Sequence, residues 1–142
     1  MTFTKCEGMT FARWGTRALG AGLIAFGLPA VIAPAFFARQ VGIPSNDDPS
    51  GTVAIHSVAF RDIAFGVGLV IASKDGSHLR TWLLVRCLSE LGDCLAITIA
   101  FLRGGGNRRL GALGVLAGAA AIYEAALYIL ASKEITSRSG NS

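Results

Sequence analysis

The chain reads as an all-α, four-transmembrane-helix bundle, and three observations lead there. Of its 142 residues 52% are hydrophobic and only 15% charged, with a positive mean hydropathy, a balance foreign to ordinary soluble domains. Four runs, residues 17–37, 53–73, 81–102 and 110–131, approach or exceed the roughly 20 mostly apolar residues needed to cross a bilayer. The segments between them are rich in helix breakers. One integral membrane domain over residues 1–142 is expected.

Pro29 and Pro34 are expected to kink the first run or to turn its end into a short interfacial segment. Its basic lead (Lys5, Arg13, Arg17) and the Ala33-Pro34-Ala35 triplet imitate a cleavable signal peptide. The apolar stretch is long for one, and Pro34 interrupts the small-residue pair, so a retained span is preferred. Gly42, Pro44, Asn46, Asp47, Asp48, Pro49 and Gly51 mark the first connection, Lys74, Asp75 and Gly76 the second, and Gly104, Gly105, Gly106 and Asn107 the third. Trp14 and Trp82 stand at span starts, where indole rings anchor at the membrane interface. The fourth run carries Gly114-x-x-x-Gly118, a motif that admits a close helix and serves either the bundle itself or a homodimer.

The net charge of +4 is modest, and the basic residues cluster at the ends of the runs, where lipid headgroups account for them. A nucleic-acid partner is therefore not expected, whereas membrane lipid is. In a four-span arrangement Lys5, Arg13, Arg17, Lys74, Arg80, Lys133 and Arg138 share one side, against Arg39, Arg103, Arg108 and Arg109 on the other. That bias puts both termini in the cytoplasm. Cys87 and Cys94 are two helical turns apart, about 10 Å along the axis, too far for a disulfide in one helix. With Cys6 they read as small thiols. No histidine-rich box, phosphate loop or nucleophile elbow is present, and no cofactor is implied.

The informative feature is the charge inside the runs: Arg61 and Asp62 in the second, Arg86, Glu90 and Asp93 in the third, Glu124 in the fourth. Each costs roughly 2.5 to 3.5 kcal/mol at the bilayer centre on insertion scales, so such residues face a protein interior and mark function. Arg86, Glu90 and Asp93 follow i, i+4, i+7 and share one helix face. Arg61 and Asp62 point about 100° apart and are not expected to pair with each other on an ideal helix. The economical arrangement sets Arg61 against Glu90 or Asp93, and Asp62 against Arg86.

Two arginines thus oppose four carboxylates, and an unpaired carboxylate in low dielectric takes up a proton rather than stay charged. At least one acid is expected to be protonated near neutral pH. Glu124 is the foremost candidate, since its own helix offers no arginine, only Tyr123 beside it and Tyr128 one turn on. His56 lies near the start of its span, where a histidine is more often interfacial than functional. A metal site built from Glu90, Asp93 and Glu124 is disfavoured by the two neighbouring arginines. The plainer alternative is that the ion pairs only lock helices together.

Phe60-Arg61-Asp62 followed by Gly66, and the acidic third run Arg86-Cys87-Leu88-Ser89-Glu90-Leu91-Gly92-Asp93, resemble a widespread group of small four-helix membrane proteins mostly without assigned function. The resemblance runs from Trp14 onward. In plan and residue type the chain is also similar to small membrane enzymes of terpenoid and polyketide pathways. That likeness implies acids that protonate an alkene or epoxide and so steer cyclisation or isomerisation. The chain lacks the longer layout of the best-known membrane terpene cyclases.

The expected function is a cofactor-free acid–base enzyme on a lipophilic small molecule. Glu124 or Asp93 is the expected proton donor and Glu90 or Asp62 the base or orienting carboxylate. Arg61 and Arg86 would stabilise negative charge, with Tyr123, Tyr128 and His56 as further polar candidates. The alternatives are a proton-coupled small transporter or channel subunit, in which the same acids carry protons, and a non-catalytic membrane assembly protein.

Overall fold

The computed structural model describes residues 3–41, 49–75 and 78–139. It is all-helical: α1 (Phe3–Ile32), α2 (Pro34–Val41), α3 (Pro49–Asp75), α4 (Leu79–Leu102) and α5 (Arg108–Ser139). Among the described residues five helices stand where four are expected, because the first run breaks after Ile32 and restarts at Pro34. Proline there suits the first position of a helix, where its missing N–H costs nothing. Pro49 opens α3 for the same reason. Gly51, Lys74 and Asp75, expected in connections, are helical residues of α3. Gly42, Pro44, Asn46, Asp47, Asp48 and Gly76 lie outside the described residues. The third connection is as expected: Gly104 takes φ +75°, and the Asn107 side chain accepts a hydrogen bond from the Leu110 N–H at 2.9 Å, capping α5.

Stretches of α1, α3 and α5 are long and apolar enough to cross a bilayer, namely Phe11–Ile32, Pro49–Lys74 and Arg108–Ser132. Three such helices among the described residues mark the chain as a membrane protein. α4 matches them in length and is as apolar on average, but Arg80, Arg86, Glu90 and Asp93 make it more highly charged than those stretches.

Going round the bundle the order is α1, α3, α4, α5. The pairs α1–α3 and α4–α5 make the broad interfaces, α1–α5 and α3–α4 the narrow ones. The first broad interface rests on glycine. A Cβ on Gly20 would lie 2.7 Å from the Gly66 carbonyl oxygen, and one on Gly66 would lie 2.5 Å from that of Gly20. Backbones this close gain dispersion and weak C–H···O contacts that any side chain would prevent. The α4–α5 interface is joined by Cys87 Sγ donating to the Ala121 carbonyl at 3.7 Å and Cys94 Sγ to the Gly114 carbonyl at 3.9 Å. Ile97 also packs on Gly114, so that glycine serves the bundle.

Burial divides the molecule into two tiers. Near the α3–α4 connection all four long helices supply one core: Leu23, Leu69, Ala72, Leu79, Leu83 and Leu127, with Trp82 against it. Trp82, at the start of α4, is half-buried, lies over Gly68 and meets Phe65 edge-on at 6.4 Å. At the far end the core is Ala30, Ala38, Ile55 and Ala59, from α1, α2 and α3 alone.

Overpacking costs roughly 1–3 kcal/mol where a tight contact cannot yield, so Gly66→Val is expected to lower the thermal midpoint in detergent, followed by circular dichroism. Gly22→Ala, with no atom within 4 Å of the added carbon, should leave it unchanged or raise it.

Candidate functional site

The six charges of the apolar runs converge where α3, α4 and α5 meet, between the two tiers. Arg61 Nη1 donates to Asp93 Oδ1 at 2.9 Å and Nη2 to Oδ2 at 2.7 Å, a bidentate bridge from α3 to α4. This fork geometry is the strongest form of Arg–carboxylate contact. Arg61 also bonds Asp62 Oδ1, through Nε at 3.3 Å and Nη2 at 3.2 Å. The sequence reading excluded that neighbour pair. It forms because the long arginine side chain curls back to its neighbour while still reaching α4.

Arg86 forms the second centre. Its Nη2 donates to Glu90 one turn on, its Nε lies 3.6 Å from Glu124 Oε1 across the α4–α5 interface, and its guanidinium sits 5.7 Å over the Phe65 ring. The expected Asp62–Arg86 ion pair is replaced by these contacts. Asp62 is nevertheless within electrostatic reach of Arg86. Glu124, whose own helix offers no arginine, meets Arg86 of α4 instead, although 3.6 Å is too long for a hydrogen bond. Among the described residues neither Glu124 oxygen has a hydrogen-bond partner, nor have Arg86 Nε and Nη1.

Exposure is graded along the cluster. The side chains of Arg61 and Asp93 are 30% and 33% exposed, Glu90 is at 8% and Glu124 at 0%. A polar track therefore runs inward from the α3–α4 seam to a carboxyl sealed in the bundle. Acids graded from accessible to dry, with guanidinium groups between them, can pass a proton inward or donate one to a bound acceptor. Among the described residues no group of three His, Cys, Asp or Glu side chains is arranged to hold a metal ion.

Three other expected residues lie elsewhere. Tyr128 turns to Arg80, whose Nη2 donates to its hydroxyl at 3.3 Å and whose guanidinium lies 5.4 Å over its ring. The Tyr123 hydroxyl lies against Gly15 of α1. His56 is half-buried and tilted against Phe60 at 6.4 Å. Phe65, which covers Arg86, was not foreseen. Its spacing of i+4 from Arg61 and i+3 from Asp62 is the signal that could have found it.

A family model described as "Domain of unknown function (DUF4267)" matches residues 20–130. The chain belongs to the DUF4267 family. The matched region contains every charge of the cluster and omits much of the N-terminal part of α1. No curated protein and no solved structure matches the chain significantly. Membership of DUF4267 agrees with a small membrane protein of unassigned function and provides no link to cyclases.

Exchanging the charges of the bridge tests its coupling. Arg61→Asp and Asp93→Arg are each expected to destabilise the protein, and the double variant to regain part of the loss. The interaction energy read from the cycle in detergent unfolding should fall within about 0.5–3 kcal/mol.

Proposed function

We propose that the protein is an integral membrane acid–base enzyme of the isomerase or cyclase type, acting on a lipophilic small molecule without a cofactor. The observation that carries this reading is Glu124: a wholly buried carboxyl whose two oxygens lack hydrogen bonds among the described residues, facing Arg86. A carboxylate placed only to lock helices would be expected to have its oxygens satisfied, since leaving them bare forfeits much of the pairing energy. A donor awaiting a substrate has its acceptor missing by design.

In this reading Glu124 donates the proton and Glu90 holds Arg86 in place. Arg86 steadies negative charge on Glu124 once the proton has left. Asp93 or Asp62, held by Arg61, takes a proton back at the accessible end of the track. Proton removal and return at two points of one small molecule is the minimal equipment of an isomerase. α4 forms the fourth crossing in this reading, its charges turned to the bundle, and both termini are cytoplasmic. A second reading, a proton-coupled transporter, is favoured by the same graded track.

Cells lacking the protein are complemented with wild type, Glu124→Gln or Asp93→Asn at matched membrane levels, and their lipophilic metabolites compared. Accumulation of a precursor that only wild type clears, with at least a tenfold difference from Glu124→Gln, is the expected result. Three identical profiles, together with a proton flux into vesicles that Glu124→Gln abolishes, would move the protein to the transport reading. Reporter fusions check the topology: tags at residue 1, at the 76–78 connection and at residue 142 should all report cytoplasm, and a tag at 104–106 the opposite side.

A further inference from the structure

The Arg61–Asp93 bridge is the part of the charged cluster that faces outward, its side chains 30% and 33% exposed beside the narrow α3–α4 interface. Arg61 also stands at the middle of the apolar stretch Pro49–Lys74, twelve residues from one end and thirteen from the other. With α3 across a bilayer, that is about 18 Å from either end at roughly 1.5 Å per residue, farther than an arginine side chain can snorkel to the headgroups. A charged pair open on one side at this depth is costly. It calls for a cover that is polar at this level and apolar above and below it.

The bridge has bonding capacity left. A guanidinium carries five N–H groups, and those of Arg61 make four bonds, two to Asp62 and two to Asp93. Among the described residues one N–H, on Nη1, has no acceptor. Each Asp93 oxygen accepts one bond and can take another. A cover must therefore bring an acceptor and a donor side by side.

The surface around the bridge is made of small residues. Ser57 and Ala64 lie at i−4 and i+3 from Arg61, Ser89 and Ala96 at i−4 and i+3 from Asp93, with Gly92 beside them. Ser89 is half-buried and the other four are exposed, and no atom comes within 4 Å of the place a Gly92 Cβ would take. Small side chains on both helices let other helices come close enough to meet the bridge.

We propose that the α3–α4 seam is the contact between two copies of this chain, related by a two-fold axis along the membrane normal. Charge complementarity selects this occupant. Arg61 and Asp93 stand side by side across the seam, so a two-fold rotation sets the Arg61 of each copy opposite the Asp93 of the other. The four side chains then alternate in sign, and the remaining N–H of each copy gains an acceptor in its neighbour. Any other partner would have to carry both charges at the same depth, which a second copy does by identity. The inference goes beyond the acid–base reading and stands without it, since it rests on α3 as a crossing helix.

The test uses full-length protein carrying a donor or an acceptor dye at its C-terminus, mixed in phosphatidylcholine vesicles, with energy transfer followed as lipid is added. Wild type is expected to associate. Gly92→Trp should weaken association by about tenfold or more, whereas Gly118→Trp, on α5 with its Cβ position equally open, should retain it. Arg61→Asp copies and Asp93→Arg copies should each fail to associate with themselves yet associate with one another, because the acid pair of one variant meets the guanidinium pair of the other. A bridge that acts only within one copy gives no such rescue. The proposal is overturned by wild type that stays monomeric at the lowest lipid content, or by Gly92→Trp that associates like wild type. Loss with Gly118→Trp alone would move the contact to α5 and overturn it too, as would mixed charge variants that stay apart while circular dichroism shows both folded. Should the charge variants not fold, the two tryptophan variants decide.

Discussion

The cost of taking charge out of water forces the organisation of this molecule. Six charged side chains of α3, α4 and α5 gather, because a guanidinium or carboxylate buried without a partner would cost more than most single packing contacts return. Arg61 and Arg86 divide the four acids between them, Asp62 and Asp93 with the first, Glu90 and Glu124 with the second. The α3–α4 interface is narrow, and the bidentate Arg61–Asp93 bridge gives it a fixed register that sparse apolar contact would not.

That electrostatic centre depends on a rigid neighbour. The α1–α3 pair approaches to backbone contact at Gly20 and Gly66, which fixes α3 against α1 and hence sets the position from which Arg61 and Asp62 project. The joined tier around Leu69, Leu83 and Leu127 then holds α4 and α5 at one end, so that Arg86 and Glu124 meet at its edge. Placement of the charges follows from packing at some distance from them.

Much of this was legible in the sequence because both signals are periodic. The apolar runs located the long helices, and α4 agrees with its predicted bounds within two residues. The i, i+4, i+7 spacing correctly placed Arg86, Glu90 and Asp93 on one face, and the bridge to Asp93 was one of the two options for Arg61. What was not legible depends on side-chain reach and tertiary contact. Arginine flexibility allowed the Arg61–Asp62 contact that ideal helix geometry argued against. Tyr123 and Tyr128 neighbour Glu124 along α5, whereas the Tyr123 hydroxyl lies against Gly15 of α1 and that of Tyr128 accepts from Arg80. The contact of Trp82 with Gly68 is likewise tertiary and has no mark in the spacing of either helix. A proline between two helical segments does not reveal whether it kinks one helix or starts another, and at Pro34 it starts α2.

The reciprocal contact of Gly20 and Gly66 also bears on how the sequence can change over time. Each residue presses on the other's carbonyl, so neither position can acquire a side chain first without forcing the pair apart, and a larger residue at one cannot be compensated by any at the other. The route from this helix crossing to a wider one passes through an unstable intermediate. The two positions are therefore expected to drift little and, where they do change, to change with a shift of the whole α1–α3 crossing, carrying Arg61 and Asp62 to a new register with α4.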